Sequence, residues 1–191
     1  VAAHGADRAE VGLPPVVSVP RAELRRHRVA DAYDVLDLDG LLQLLQTHPD
    51  TYLVTDTKGG LTRILRRVVE AAKTADAALL TRIVPQVYGI GDLQELDAVH
   101  RFPGVILTLY RSTASDADIL DYVRQTPRVM AVTMSLERYS PGLLEGLFSA
   151  GTPVFVHTIN DPARVATLRG VGVQGVQSDL LTPDGYAPAA A

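Results

Sequence analysis

The stretch from Gly104 to Ile159 reads GVILTLYRSTASDADILDYVRQTPRVMAVTMSLERYSPGLLEGLFSAGTPVFVHTI, and three short apolar runs inside it decide the fold class. GVILTLY (Gly104 to Tyr110), VMAVTMS (Val129 to Ser135) and PVFVHTI (Pro153 to Ile159) are β-rich and almost continuously apolar, as expected of parallel strands buried on both faces. Between them lie helical segments. Ser115 or Asp116 caps one that runs through Gln125 before Pro127 ends it, and Pro141 starts a shorter one through Leu143, Leu144 and Leu147.

Outward from this stretch the alternation continues. YLVTD (Tyr52 to Asp56) and RIVPQVY (Arg82 to Tyr88) precede it, and GVQGVQSD (Gly172 to Asp179) follows, which makes six expected strands. Leu61, Ile64, Leu65, Val68, Ala71 and Ala72 recur at helical spacing, with Arg63, Arg66, Arg67, Glu70 and Lys73 outside the stripe. Asp161 and Pro162 open a last helix, for which Gly170 suits a left-handed C′ position. Gln86, Tyr110, Met134 and Thr158 are each 24 residues apart, room for one strand, one helix and two loops. Repeated βα units imply an α/β fold with a parallel sheet. The period alone leaves open a doubly wound sheet or a barrel two units short.

Before residue 50 the periodicity weakens. Pro14, Pro15 and Pro20 break regular helix, so residues 5–36 read as a long loop with a short helix. Asp37 or Asp39 caps a helix containing Leu41, Leu42, Leu44 and Leu45 that ends near His48 and Pro49. The first residues, VAAH, read as the end of a strand, which leaves two explanations: a processed terminus or a piece of a longer polypeptide.

The chain of 191 residues is 47% hydrophobic and 21% charged, with a net charge of -4. Those values fit a folded domain, and the intermixed charges lack the basic footprint of a nucleic-acid binder. With no cysteine, disulfides, thiolate metal sites and cysteine nucleophiles are excluded. No stretch has the length of an apolar membrane span, so the expectation is a soluble protein without a transmembrane segment, cytoplasmic or secreted. YGIGD (Tyr88 to Asp92) and TKGGLT (Thr57 to Thr62) fit neither a dinucleotide fingerprint nor a P-loop, and no nucleophile elbow occurs.

Chemistry in parallel α/β folds sits at the carboxyl ends of strands. That rule selects Asp56, Thr57 and Lys58, then Gln86 and Tyr88, Thr108 and Tyr110, Thr133 and Ser135, His157, Thr158 and Asn160, and finally Ser178 and Asp179. In TDTKGG (Thr55 to Gly60), Asp56 and Lys58 point to one side of an extended segment. The carboxylate can hold a divalent cation while the ammonium faces an anion, or the two pair with each other beside a glycine turn. His157 is either an acid, base or phosphate donor, or a structural histidine. His4 reads as a catalytic imidazole or a surface residue. Asn160 reads as a pocket residue or as part of an Asx turn beside the Asp161 cap. His27, His48 and His100 receive no role.

Taken in order, YLVTDTKG, RIVPQVY, GVILTLY, VFVHTIND and GVQGVQSD resemble the glycerophosphodiester phosphodiesterase family, whose fold is the phosphatidylinositol-phospholipase-C-like TIM (β/α)8 barrel. The resemblance implies that Asp56 is a metal-binding carboxylate, more often Glu in the family, and that Lys58 faces the substrate phosphate. It places Gln86 and Tyr110 in the pocket lining and Asn160 at the polar end of the family's tryptophan–threonine–valine–asparagine motif. His157 stands where that tryptophan would be, which implies pocket shape before proton transfer. His4 matches the second catalytic histidine, with Gly5 in place of the usual Asp. The family's first histidine motif and its Glu-x-Asp pair have no counterpart in this chain.

The resemblance therefore implies six of eight βα units in a single barrel domain over residues 1–191, N-terminally truncated relative to the family. It implies catalytic His4 and Lys58, substrate-binding Lys58, Gln86, Tyr110, His157 and Asn160, and metal-binding Asp56 with magnesium or calcium. The implied partner is a small-molecule phosphodiester, hydrolysed to a glycerol phosphate and an alcohol, with no nucleic acid. A homo-oligomer or a preceding segment would complete the barrel. The alternative is a non-catalytic barrel that binds a phosphoryl ligand or serves a structural role.

Overall fold

In the computed structural model, which describes residues 20, 22, 25, 26, 28, 29, 33–57, 60–110, 112–182, 185 and 186, helices begin where the sequence supplies capping oxygens. Helix α1 (Leu38–Thr47) starts behind Asp37, whose carboxylate accepts from Gly40 N at 3.0 Å. Helices α4 (Asp116–Gln125), α5 (Pro141–Ser149) and α6 (Pro162–Gly170) start behind Ser115, Ser140 and Asp161. Each cap satisfies an amide that the first turn leaves without a carbonyl partner, worth about 1 kcal/mol. Helix α2 (Leu61–Ala75) differs: Gly60 precedes it at φ 67, a left-handed conformation that glycine adopts without a Cβ clash.

The chain divides into two compact units, Val1–Ile83 and Val84–Ala191. The first holds the short antiparallel pair β1 (Arg28–Val29) and β2 (Tyr33–Asp34), helix α1, strand β3 (Leu53–Thr55), helix α2 and a 3₁₀ segment (Ala77–Arg82). Leu42 and Leu45 of α1, Leu65, Val68, Val69 and Ala72 of α2, and Leu79 and Leu80 of the 3₁₀ segment are buried. These three elements pack on one another. Arg82 fastens them: its guanidinium donates to the carbonyls of His48 (2.9 Å), Thr51 (3.0 Å) and Leu45.

From the boundary at Ile83 through the second unit, the strands β4 (Ile83–Val87), β5 (Val105–Thr108), β6 (Val129–Ser135), β7 (Val154–His157) and β8 (Gly175–Val176) are neighbours in chain order and all parallel. The order never reverses, as a doubly wound sheet's would. With β3, the parallel strands number six, and the α/β fold is that of an incomplete (β/α)8 barrel. A short helix α3 (Asp92–Asp97) follows β4, and a small antiparallel pair, β9 (Leu181–Thr182) and β10 (Gly185–Tyr186), ends the described chain.

The two faces of this sheet are chemically different. Val87, Leu107, Val132, Met134, Val154 and Val156 all have 0% exposure and share one face, against which α5 packs at β7. Partnered residues of parallel strands point the same way, so the register Thr108↔Thr133↔Phe155 and Ser135↔His157 defines the other face. Gln86, partnered with Ile106, lies on that same side, and it is rich in polar groups.

Several expectations need correction. The loop reading of residues 5–36 meets the β1–β2 pair, closed by Arg28↔Asp34 and Val29↔Tyr33; the expected strand end at VAAH lies outside the described residues. Helix α6 includes Gly170, and the left-handed residue is Gly172 at φ 96, because the helix frays through Val171 before it turns. The last strand is only Gly175–Val176: Ser178 turns the chain by accepting from the amides of Leu180 (3.1 Å) and Leu181 (2.9 Å). Helix α3 and the 3₁₀ segment were not expected, since neither carries a full apolar stripe.

Candidate functional site

The polar face of the second unit rises through successive layers of side chains. At its lower level Thr108 Oγ1 donates to Gln86 Oε1 at 2.6 Å, which fixes the Gln86 amide. Beside it Thr133 is 2% exposed, and its hydroxyl has no hydrogen-bond partner in the protein. Such a buried hydroxyl costs about 1–3 kcal/mol. One level higher, at the carboxyl ends of β6 and β7, Ser135 and His157 stand side by side as register partners. Tyr110, just past β5 and 56% exposed, holds its ring centroid 6.1 Å from that of His157 at a tilt of 51°.

Asn160 follows β7 and ties two strand ends together. Its side-chain oxygen accepts from Ser178 Oγ at 2.8 Å and from Asp179 N at 3.0 Å, while its amide nitrogen lies 3.5 Å from Asp179 Oδ2. Asp161 is separately engaged as the cap of α6, accepting from Ala163 N at 2.9 Å. Asp92 closes the loop after β4 by accepting from Tyr88 N (2.8 Å) and Gly89 N (2.9 Å). Gln86 on β4, Tyr110 just past β5, His157 at the end of β7 and Asn160 just past it thus lie on or beside the strands of one unit.

Sequence reasoning reaches Ser135 as a strand-end polar residue but not Glu137, which lies two residues beyond the strand. The Glu137 carboxyl is held below the usual range, chiefly by the influence of the Ser135 hydroxyl, with a backbone amide and the charge of His157 acting in the same direction. The loop is held from below: Arg138 donates to Asp116 Oδ1 at 2.7 Å and to the Ala114 carbonyl at 3.0 Å, and Ser140 donates to Asp116 Oδ2 at 2.8 Å. No local pattern singles out Glu137, because the turn that carries it is held by Arg138 meeting Asp116, 22 residues earlier.

In the first unit Asp56 lies just past β3 and is exposed, and the neighbouring Thr57 is 9% exposed. Lys58 and His4 lie outside the described residues. A hard divalent cation takes six or more oxygen ligands. Asp56 offers one carboxylate, and among the described residues no three His, Asp or Glu side chains gather as a metal cluster. The described residues do not by themselves form a magnesium or calcium site. Among those residues no helix is long and apolar enough to cross a membrane.

No family model and no curated protein matches this chain. Solved structures do. A protein of Silicibacter pomeroyi DSS-3 assigned as a glycerophosphoryl diester phosphodiesterase superposes with a TM-score of 0.62 at 19% identity, over 85% of this chain and 65% of that one. A glycerophosphodiester phosphodiesterase of Parabacteroides distasonis ATCC 8503 gives 0.62 at 14% identity, over 85% and 67%. A Galdieria sulphuraria protein assigned to the same activity gives 0.66 at 15% identity, over 92% and 74%. The chain therefore spans about two thirds of the length of the first two structures, and at these identities the likeness is one of fold.

Proposed function

We propose that this chain is the larger part of a barrel that binds a phosphodiester of glycerol and hydrolyses it to a glycerol phosphate and an alcohol. The observation that carries the reading is the joint one: a fold shared with glycerophosphodiester phosphodiesterases, and polar side chains gathered at the carboxyl ends of β5, β6 and β7. In this reading Gln86, Tyr110, His157 and Asn160 contact the substrate, and Lys58 meets the phosphate charge. His4 serves in proton transfer, as general base or acid. A divalent cation, magnesium or calcium, belongs to the proposal through Asp56, with the remaining oxygen ligands supplied from outside the described residues. The whole is a single barrel domain, completed by a preceding segment or a second copy.

The test is release of alcohol from glycerophosphodiesters by the gene product as it is made, with magnesium, with calcium and after chelation. Turnover that chelation abolishes and that Lys58→Ala reduces at least tenfold supports the proposal; no release with either metal overturns hydrolysis. A second reading, phosphoryl-ligand binding without turnover, is favoured by the lack, among the described residues, of three His, Asp or Glu side chains gathered as a metal cluster. Binding of a glycerophosphodiester that Lys58→Ala removes, in a protein with no turnover, selects it.

A further inference from the structure

Sulfur chemistry in this chain is confined to two thioethers, since the sequence has two methionines and no cysteine. Both lie on β6, and the strand treats them oppositely. Met134 has 0% exposure and pairs with Val156 on the apolar face, whereas Met130 is 49% exposed between two buried neighbours, Val129 and Ala131. The ladder gives the reason. Val105 pairs with Val129 and Ile106 with Ala131, so Met130 is the extra residue of a β-bulge and has no register partner on β5. A bulge re-aims the side chain it carries, and this one turns Met130 out of a strand that is otherwise buried from Val129 to Met134. The thioether lies against the residue before β5: a Cβ on Gly104 would stand 2.5 Å from Met130 Sδ, so glycine there leaves room for the sulfur. Met130 also borders a hollow of about 460 Å³ that Val123, Pro127, Gly151 and Thr152 help to line.

A thioether reacts with hydrogen peroxide by attack of a sulfur lone pair on one peroxide oxygen. The S–O bond forms as the O–O bond breaks, sulfur is oxidised by two electrons to the sulfoxide, and the reduced second oxygen leaves as water after proton transfer. The reaction needs the oxidant to reach the sulfur, and its product is a polar group that an apolar core tolerates poorly. Burial therefore protects Met134, and the bulge presents Met130. We propose that Met130 is the oxidation site of this chain, converted by hydrogen peroxide to the sulfoxide while Met134 is spared, with the fold retained. Retention follows from position: the new oxygen stands on a residue outside the pairing register, half open to solvent and beside a hollow. This inference is independent of the phosphodiester reading above.

The test treats the intact protein with hydrogen peroxide and follows the two methionines by peptide mass mapping over time. Met130 gains one oxygen atom faster than Met134 by about tenfold or more in the folded protein. In denaturing urea the two react at one rate, which makes the folded difference one of burial. Met130→Leu removes the fast phase and leaves the slow one. Protein oxidised once keeps the far-ultraviolet circular dichroism and the urea midpoint of untreated protein. Equal rates in the folded state, a difference that persists in urea, or a fast phase undiminished in Met130→Leu overturns the assignment of the site. Loss of the folded signal on the first oxidation overturns the claim that the bulge tolerates the sulfoxide.

Discussion

Replacing Arg82 by Met tests how the first unit is held together. The last turn of α1 contains no basic residue, although its free carbonyls carry the negative end of the helix dipole. Arg82 supplies that charge from the 3₁₀ segment, donating to the carbonyls of Leu45, His48 and Thr51 at positions 37, 34 and 31 residues earlier. Two of these bonds are part-buried and one is exposed. A hydrogen bond to a charged group is worth about 1.5–3 kcal/mol, and water partly replaces the exposed one. Counting the two part-buried bonds in full, with the methionine stem retained for packing, the loss is about 3–6 kcal/mol, lowered toward 2–3 by water entering at the freed carbonyls.

The assay is urea unfolding followed by far-ultraviolet circular dichroism, with Arg82→Lys as the control. Lysine keeps the charge, but its single ammonium does not span three carbonyls as the planar guanidinium does, so it recovers less than half of the loss. Thermal unfolding shifts by about 4–12 °C for Arg82→Met, at roughly 2–4 °C per kcal/mol in a chain of this size. A loss below about 0.5 kcal/mol, or full recovery with lysine, refutes the view that bridging geometry holds α1 to the 3₁₀ segment.

Three further outcomes follow from local chemistry. Thr133→Val swaps a buried hydroxyl without a protein partner for a methyl of similar size, so stability is unchanged or rises by about 1 kcal/mol in urea titrations; a loss above that means the hydroxyl is hydrogen-bonded in solution. Gly172→Ala costs about 1–3 kcal/mol, since φ is 96 and a Cβ would stand 2.7 Å from the Phe148 ring; an unchanged midpoint argues against the left-handed turn. Asp116 has a carboxyl held below its ordinary value of 3.8, chiefly by Arg138. The stabilisation is therefore present above pH 3.8 and is lost as the pH falls through the depressed value. With 41% of the Asp116 side chain exposed, Asp116→Asn costs less than about 1 kcal/mol at pH 7 and flattens the acid limb of stability against pH; an acid limb identical to wild type refutes the pairing.

What could be read from the sequence was set by the range of the interaction that determines it. Strand β6 runs Val129–Ser135, the limits its apolar run gives, because burial on both faces is written into consecutive residues. The caps at Asp37, Ser115 and Asp161 were legible for the same reason: donor and acceptor are within three residues. Helix α3 was not, since its single buried residue is Leu96 and the preceding loop is shaped by Asp92 reaching back to Tyr88 and Gly89. Glu137 was missed because its fixation depends on Arg138 meeting Asp116, 22 residues earlier, a pairing that no local pattern announces.

The constant spacing of 24 residues explains why the site was only half readable. Spacing measures the length of a βα unit, whereas pairing register decides which side of the sheet a residue faces. Gln86 pairs with Ile106, so Tyr110, 24 residues on, stands four positions beyond that level. Met134 keeps the same spacing from Tyr110, yet it pairs with Val156 and is buried at 0% exposure on the apolar face. The neighbouring Ser135, one residue off the period, pairs with His157 on the polar face. An odd offset inverts a side chain and an even one moves it along the strand, so a regular period identifies the fold while leaving the membership of the site to the stagger of its strands.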